Sequence, residues 1–177
     1  MKSIAVYCGA NAGANEVYAD AARALGRALA ANKIALVYGG GNVGLMGIIA
    51  DAVLAAGGEV RGVIPQQLVD RELAHPGLTE LFIVKDMHER KALMAQLAEG
   101  FIAMPGGMGT LEELFEMLTW SQLGIHSKPI GLLNVDGFYD QLVGFLAHAA
   151  TEGFIQARHA GLLKLSADPA SLIALLA

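Results

Sequence analysis

The sequence predicts an α/β fold: a single-domain, Rossmann-like three-layer sandwich built on a parallel sheet. Two features carry that reading. Short apolar or β-branched runs alternate with alanine- and leucine-rich stretches of helical character, and runs such as FIAM and PIGLL are unbroken, as in strands buried on both faces. Alternation at this spacing implies βαβ units with right-handed crossovers.

The elements follow in order. Strands are predicted at Ser3–Cys8, Ile34–Tyr38, Val60–Ile64, Leu81–Lys85, Phe101–Met104 and Pro129–Asn134. Helices are predicted between and after them at Glu16–Ala31, Leu45–Ala56, Met87–Ala98, Leu111–Gln122 and Phe138–Thr151. A short closing helix lies within Ala167–Ala177, entered by Asp168 as N-cap with Pro169 at its first position. No linker, repeat or low-complexity segment interrupts the chain, so residues 1–177 read as one domain.

Composition narrows the function classes. The 177 residues are 54% hydrophobic and 16% charged, which excludes disorder and leaves more apolar surface than one fold of this size hides. A homo-oligomer is the expectation. The net charge of −5, without a Lys/Arg run, disfavours nucleic-acid polymers and anionic membranes as partners. One cysteine cannot form an intrachain disulfide, which fits a reducing cytoplasm. The N-terminus has no signal-peptide h-region of adequate length, and no stretch of 18 apolar residues is free of charge.

Ligands of such sheets sit beyond the carboxyl ends of the strands, and three glycine clusters fall there. The first, Tyr7-Cys8-Gly9-Ala10-Asn11-Ala12-Gly13, is either a plain tight turn or a set of backbone donors for a ligand. Cys8 reads as a small packed residue. The second, Gly39 to Gly47, satisfies G-x-G-x-x-G through Gly39, Gly41 and Gly44. The next strand ends in Pro65 and offers no acidic residue for a ribose, so a mononucleotide or phosphate suits it better than a nicotinamide dinucleotide. The third runs Met104-Pro105-Gly106-Gly107-Met108-Gly109-Thr110-Leu111-Glu112-Glu113. Between a strand and a helix start it is an anion site. No lysine follows these glycines, so Walker-A chemistry is excluded.

Two charged residues stand in unusual places. On the helix Leu111–Gln122, Leu111, Leu114, Phe115 and Leu118 form the apolar stripe and Glu112 and Glu116 share a polar flank. Glu113 instead falls between Met117 and Trp120. It is a catalytic candidate, or else the far half of a Thr110-x-x-Glu113 capping box. On the helix announced by Asp86-x-x-Glu89, Arg90 sits amid an apolar face made by Met87, Leu93, Met94, Leu97 and Ala98. Arginine keeps its charge when buried, so it either snorkels past the sheet edge or meets Glu113, a phosphate, or both. Lys91 lies beside it. The histidines at 75, 88, 126, 148 and 159 show no metal-ligand spacing, so no metal is expected. No lysine has surroundings that single it out for a Schiff base.

Pro105–Glu113, with Met87-His-Glu-Arg90-Lys91 and Gly39–Gly47 upstream, resembles the Lonely-Guy (LOG) proteins, cytokinin riboside 5′-monophosphate phosphoribohydrolases often labelled lysine decarboxylases in error. The resemblance runs from about Ile4 to Phe154. It implies hydrolysis of the N-glycosidic bond of an N6-modified AMP, releasing the base and ribose 5-phosphate, with no cofactor and a homodimeric assembly. Arg90 and Glu113 match the family's catalytic pair. Glu72, Lys91, Thr119 and the loop Gly107–Glu113 match its nucleotide contacts, and Gly41 and Gly106 stand in the adjoining glycine turns. The turn Cys8-Gly9-Ala10-Asn11 departs from the pattern, since many members carry serines after the glycine. Competing readings are a general AMP nucleosidase and a non-catalytic carrier of a nucleotide-like molybdenum cofactor. A carboxylate near C1′ would stabilise an oxocarbenium-like state and activate water, the role expected of Glu113, while Arg90 would orient it or hold the phosphate or ribose.

Overall fold

Successive side chains of a strand point to opposite faces of a sheet, and here both faces are apolar. In β1 (Ser3–Tyr7), Ile4 and Val6 join one core while Ala5 and Tyr7 join the other. A computed structural model describes residues 1–71, 73–159 and 161–177. In chain order β1 is followed by α1 (Val17–Ala31), β2 (Ala35–Tyr38), α2 (Gly44–Ala55), β3 (Val60–Pro65) and the short α3 (Gln66–Val69). Then come β4 (Glu80–Val84), α4 (Met87–Leu97), β5 (Gly100–Ala103), α5 (Met108–Gln122) and β6 (Ile130–Leu133). The chain closes with α6 (Asp140–Thr151), β7 (Leu163–Ser166) and α7 (Pro169–Leu176).

The sheet is seven-stranded and parallel throughout, in the order β4-β3-β2-β1-β5-β6-β7. Helices α1, α2 and α7 cover one face through Leu25, Leu29, Ile49, Val53, Leu172 and Leu176. On the other face α4 and α5 bury Met94, Leu114 and Met117. Helix α1 packs close on α2 at Gly26, where a Cβ would stand 2.8 Å from that of Ala52.

The topology also sets the site. From β1 the chain steps outward through β2, β3 and β4, then returns to place β5 on the other flank of β1. The turns after β1 and β5 therefore diverge at a topological switch point, where such sheets open a crevice.

Several boundaries differ from the sequence reading. Strand β7 and helix α3 were not among the predicted elements. LKLS carries a lysine and is short, and as an edge strand it is half-solvated and lacks the unbroken apolar signal of a central strand. Helix α5 starts at Met108, ahead of the predicted Leu111, and its N-cap is Gly107. Thr110 thus lies inside the first turn, and the Thr110–Glu113 capping box does not form. Phe138 ends a 3₁₀ turn at Val135–Gly137, made by left-handed Asp136 (φ 50°) and Gly137 (φ 70°), and α6 starts beyond it. The caps at Asp86 and Asp168 stand: their carboxylates accept from the N–H of Glu89 at 2.9 Å and of Ser171 at 2.7 Å.

Candidate active site

The three glycine turns interlock at the switch point. The N–H of Gly9 donates to the Pro105 carbonyl at 3.1 Å, and the N–H of Leu45 donates to the Gly9 carbonyl at 3.0 Å. Gly44, at φ 55°, brings its backbone against Ala10 so closely that a Cβ would overlap it. A side chain on Gly106 would likewise collide with the Thr110 hydroxyl and meet the Gly9 nitrogen at 2.9 Å. Glycine is required here for close approach of three backbones.

Above these turns lies a cavity of about 520 Å³. Its floor is Cys8 to Gly13, its far wall Pro105 to Thr110, and Arg90, Glu112 and Glu113 face into it. Tyr18, Leu45, Met46, Met87 and Phe138 make an apolar side, with Tyr18 and Phe138 edge to face at 5.7 Å between ring centres. The first bond within α5 runs from the Leu111 N–H to the Gly107 carbonyl at 3.1 Å. The N–H groups of Met108, Gly109 and Thr110 precede it and have no acceptor within the helix, so they are donors for an anion.

Arg90 is held by backbone. Its Nε donates to the Val63 carbonyl at 3.0 Å, within β3, and its Nη2 to the Gly39 carbonyl at 2.8 Å, just beyond β2. The residue is 9% exposed, and burial draws its pKa below the usual arginine range against the favourable pull of Glu113. Sequence reading offered snorkelling, or Glu113, a phosphate or both as the partner. The structure adds a carbonyl cradle that takes two nitrogens, leaving Nη1 with the Met87 sulfur at 3.6 Å. Arg90 and Glu113 face one cavity without a direct ion pair among the described residues.

Burial pushes the Glu113 carboxyl up to about 7, against the opposing pull of Arg90, with Glu112 and Glu116 adding to the rise. Burial, then Glu113, pushes the Cys8 thiol far up, which fits a packed residue and not a nucleophile. A carboxyl poised near neutrality beside a fixed cation is suited to proton transfer.

The other predicted contacts divide. Gly106, Gly107, Met108, Gly109, Thr110 and Glu112 line the cavity, whereas Lys91, Leu111, Thr119 and Gly41 do not. Gly41 bridges to Ala74, and its carbonyl accepts from the Tyr38 hydroxyl at 3.2 Å. His75 adds to this pinning, donating its N–H to the Gly40 carbonyl at 2.9 Å while its ring meets Asp51 at 3.0 Å. Lys91 pairs with Glu112 and with Glu116, the latter at 3.0 Å. Thr119 lies on a separate apolar groove between α5 and α6. Glu72 falls outside the described residues.

Residues 46–176 match the protein family described as "possible lysine decarboxylase". The chain is 56% identical over 155 residues to the cytokinin riboside 5′-monophosphate phosphoribohydrolase of Rhodococcoides fascians, covering 87% of this chain and 78% of that one. A phosphoribohydrolase of the same description from Arabidopsis thaliana is 52% identical over 156 residues, 88% of this chain and 68% of its own. The chain belongs to the Lonely-Guy family. Among solved structures, the molybdenum cofactor binding protein of Rippkaea orientalis superposes with a TM-score of 0.74 at 23% identity, covering 98% of this chain and 93% of that one. At that identity the likeness is one of fold.

The decarboxylase description does not suit this LOG-family cavity. Pyridoxal phosphate needs a lysine for its Schiff base, and no lysine lines the cavity among the described residues. Sequence reading missed Tyr18, Met46, Met87 and Phe138 as cavity walls. Phe138 had a usable signal, because Asp136-Gly137 marks a turn that throws the next side chain off a helix. The other three lie in regular helices, where an apolar residue facing a cavity looks like one facing a core.

Proposed function

We infer that the protein hydrolyses the N-glycosidic bond of N6-modified adenosine 5′-monophosphates, giving the free base and ribose 5-phosphate. The observation that carries this reading is the joining, in one cavity, of the poised Glu113 carboxyl, the anchored Arg90 and the free N–H groups of α5. The phosphoribohydrolase activity of the bacterial and plant relatives supplies the substrate class.

The 5′-phosphate sits at the start of α5, where Met108, Gly109 and Thr110 donate and the helix dipole favours the anion. As the bond to the base breaks, positive charge builds on the ribose. The Glu113 carboxylate stabilises that charge and takes a proton from the attacking water, which adds to C1′ while the base leaves with the bonding pair. Arg90, held by two carbonyls, orients the ribose phosphate and Glu113. The apolar side made by Tyr18, Met46, Met87 and Phe138 suits an apolar N6 substituent.

The protein acts as a homodimer in the cytoplasm in this reading. Helix α6 has no buried residue, and its Val143, Leu146, Ala147 and Ala150 line the groove that holds Thr119. A second copy on this face would cover the apolar surplus and bring Thr119 into the interface. Ala147→Lys should then shift the particle mass from dimer to monomer in light scattering.

The activity is tested by incubating the purified protein with isopentenyl-AMP, AMP and isopentenyladenosine in parallel and resolving free base by chromatography. Base from isopentenyl-AMP alone, or much faster, is the expected result. Equal rates on AMP would make the protein a general nucleosidase, and no base from any substrate would end the hydrolase reading.

A further inference from the structure

Arg90 and Glu113 stand on different helices, α4 and α5, so their relative placement depends on what joins those helices. Beside Arg90, the ammonium of Lys91 reaches across and is shared between Glu112 and Glu116, meeting Glu116 Oε1 at 3.0 Å. These two carboxylates are one helical turn apart, a like-charge spacing that is unfavourable on its own. Glu113 lies between them in sequence. The Lys91 side chain is 12% exposed and does not line the cavity. The second oxygen of Glu116 is buried without a hydrogen-bond partner among the described residues.

We propose that Lys91 is a positioning residue: it ties α4 to α5 beside the catalytic pair and offsets the negative charge of Glu112 and Glu116 that bears on Glu113. This gives Lys91 a role through Glu113 beyond any contact to the nucleotide, and it rests on the hydrolase reading only for its consequence in turnover. The groups around Glu113 are Arg90 and Lys91 from α4, Glu112 and Glu116 from its own helix, and Tyr7 and Cys8 from the end of β1. The two cations favour the Glu113 carboxylate and its two helical neighbours oppose it. Burial keeps the Tyr7 and Cys8 protons in place, so neither alters the charge balance near neutral pH.

The test is a titration of the ligand-free protein labelled with ¹³C-glutamate, with the Glu113 carboxyl resonance assigned by its loss in Glu113→Gln. Lys91→Met should raise the Glu113 midpoint by about one pH unit, because two uncompensated carboxylates then face it. Glu116→Gln should lower the midpoint, the double variant should fall between the two, and Lys91→Arg should restore the wild-type value. In turnover of isopentenyl-AMP, Lys91→Met should move the acidic limb of kcat/KM upward with little change in KM. An unchanged midpoint in Lys91→Met overturns the proposal, as does an about tenfold rise in KM with no shift, which would mark a lost substrate contact. Should Lys91→Met fail to fold, Glu116→Gln decides alone: a lowered midpoint supports the clamp and an unchanged one overturns it. Absence of turnover in the wild type would defeat the hydrolase reading, while the ligand-free titration would still decide the role of Lys91.

Discussion

The guanidinium of Arg90 occupies the space that a side chain on Gly39 would need. A Cβ there would overlap Nη2, the same nitrogen that donates to the Gly39 carbonyl at 2.8 Å. Gly39 is thus both a hydrogen-bond acceptor and a void for the residue that faces the cavity from α4. In Gly39→Ala the arginine must move, and a misplacement of about 1 Å at a reacting centre lowers turnover about 100-fold. The expected result is that loss in kcat with an unchanged far-ultraviolet circular dichroism spectrum. Full activity in this variant would show that the cradle is not needed.

Thr110 gives a separable prediction on affinity. It is 4% exposed, stands in the first turn of α5 and faces the cavity with its hydroxyl against Gly106. Thr110→Val keeps the shape and removes one donor to the phosphate. A hydrogen bond to a charged group contributes about 1.5–3 kcal/mol, so KM for the monophosphate should rise about tenfold or more. The nucleoside, which has no phosphate to lose, should react at its original rate. Equal effects on both substrates would place the phosphate elsewhere.

The sequence announced Arg90 because a charge amid Met87, Leu93 and Met94 is conspicuous. It could not announce the cradle, because the Val63 and Gly39 carbonyls belong to the backbone and carry no residue signature. Glu113 was legible for a similar reason, as a carboxylate off the polar flank of its helix. Its competing role as a cap disappeared when α5 proved to start at Met108. A glycine run hides the start of a helix, since Met108 and Gly109 carry no apolar period. The central strands were legible as unbroken apolar runs, whereas β7 at the sheet edge was not. The Lys91 bridge depends on the distance between two helices, which no local pattern encodes.

The closing helix tests a cap that the sequence did foretell. Asp168 accepts from the Ser171 N–H at 2.7 Å, with Pro169 at the first helical position, and the α7 side chains Leu172 and Leu176 are buried on the face opposite α5. Asp168→Ala should lower Tm by about 2–4 °C in calorimetry. Turnover should not change, because α7 contributes nothing to the cavity. A fall in kcat would mean that α7 reaches the site through the sheet.

Glu113 links activity and stability through one proton. Its folded pKa, about 7, lies above the ordinary carboxyl value of 4.5, so between these values the folded state binds more protons than the unfolded one. Stability owed to this group is therefore full below about pH 4.5 and is lost as pH rises to about 7, amounting to about 3 kcal/mol. Glu113→Gln removes the buried charge and should be more stable than wild type at pH 8, with the difference vanishing near pH 4 in parallel urea unfolding curves. The same variant loses the carboxylate that takes the proton from water, and should turn over about 100- to 10,000-fold more slowly. Wild-type kcat/KM should correspondingly rise with pH through about 7, as the carboxylate forms in the free protein. A variant that is more stable at alkaline pH yet inactive is the joint outcome expected of a buried catalytic carboxyl. Equal stability at pH 8 would mean that burial imposes no penalty on the charge, and near-normal activity would remove Glu113 from the mechanism.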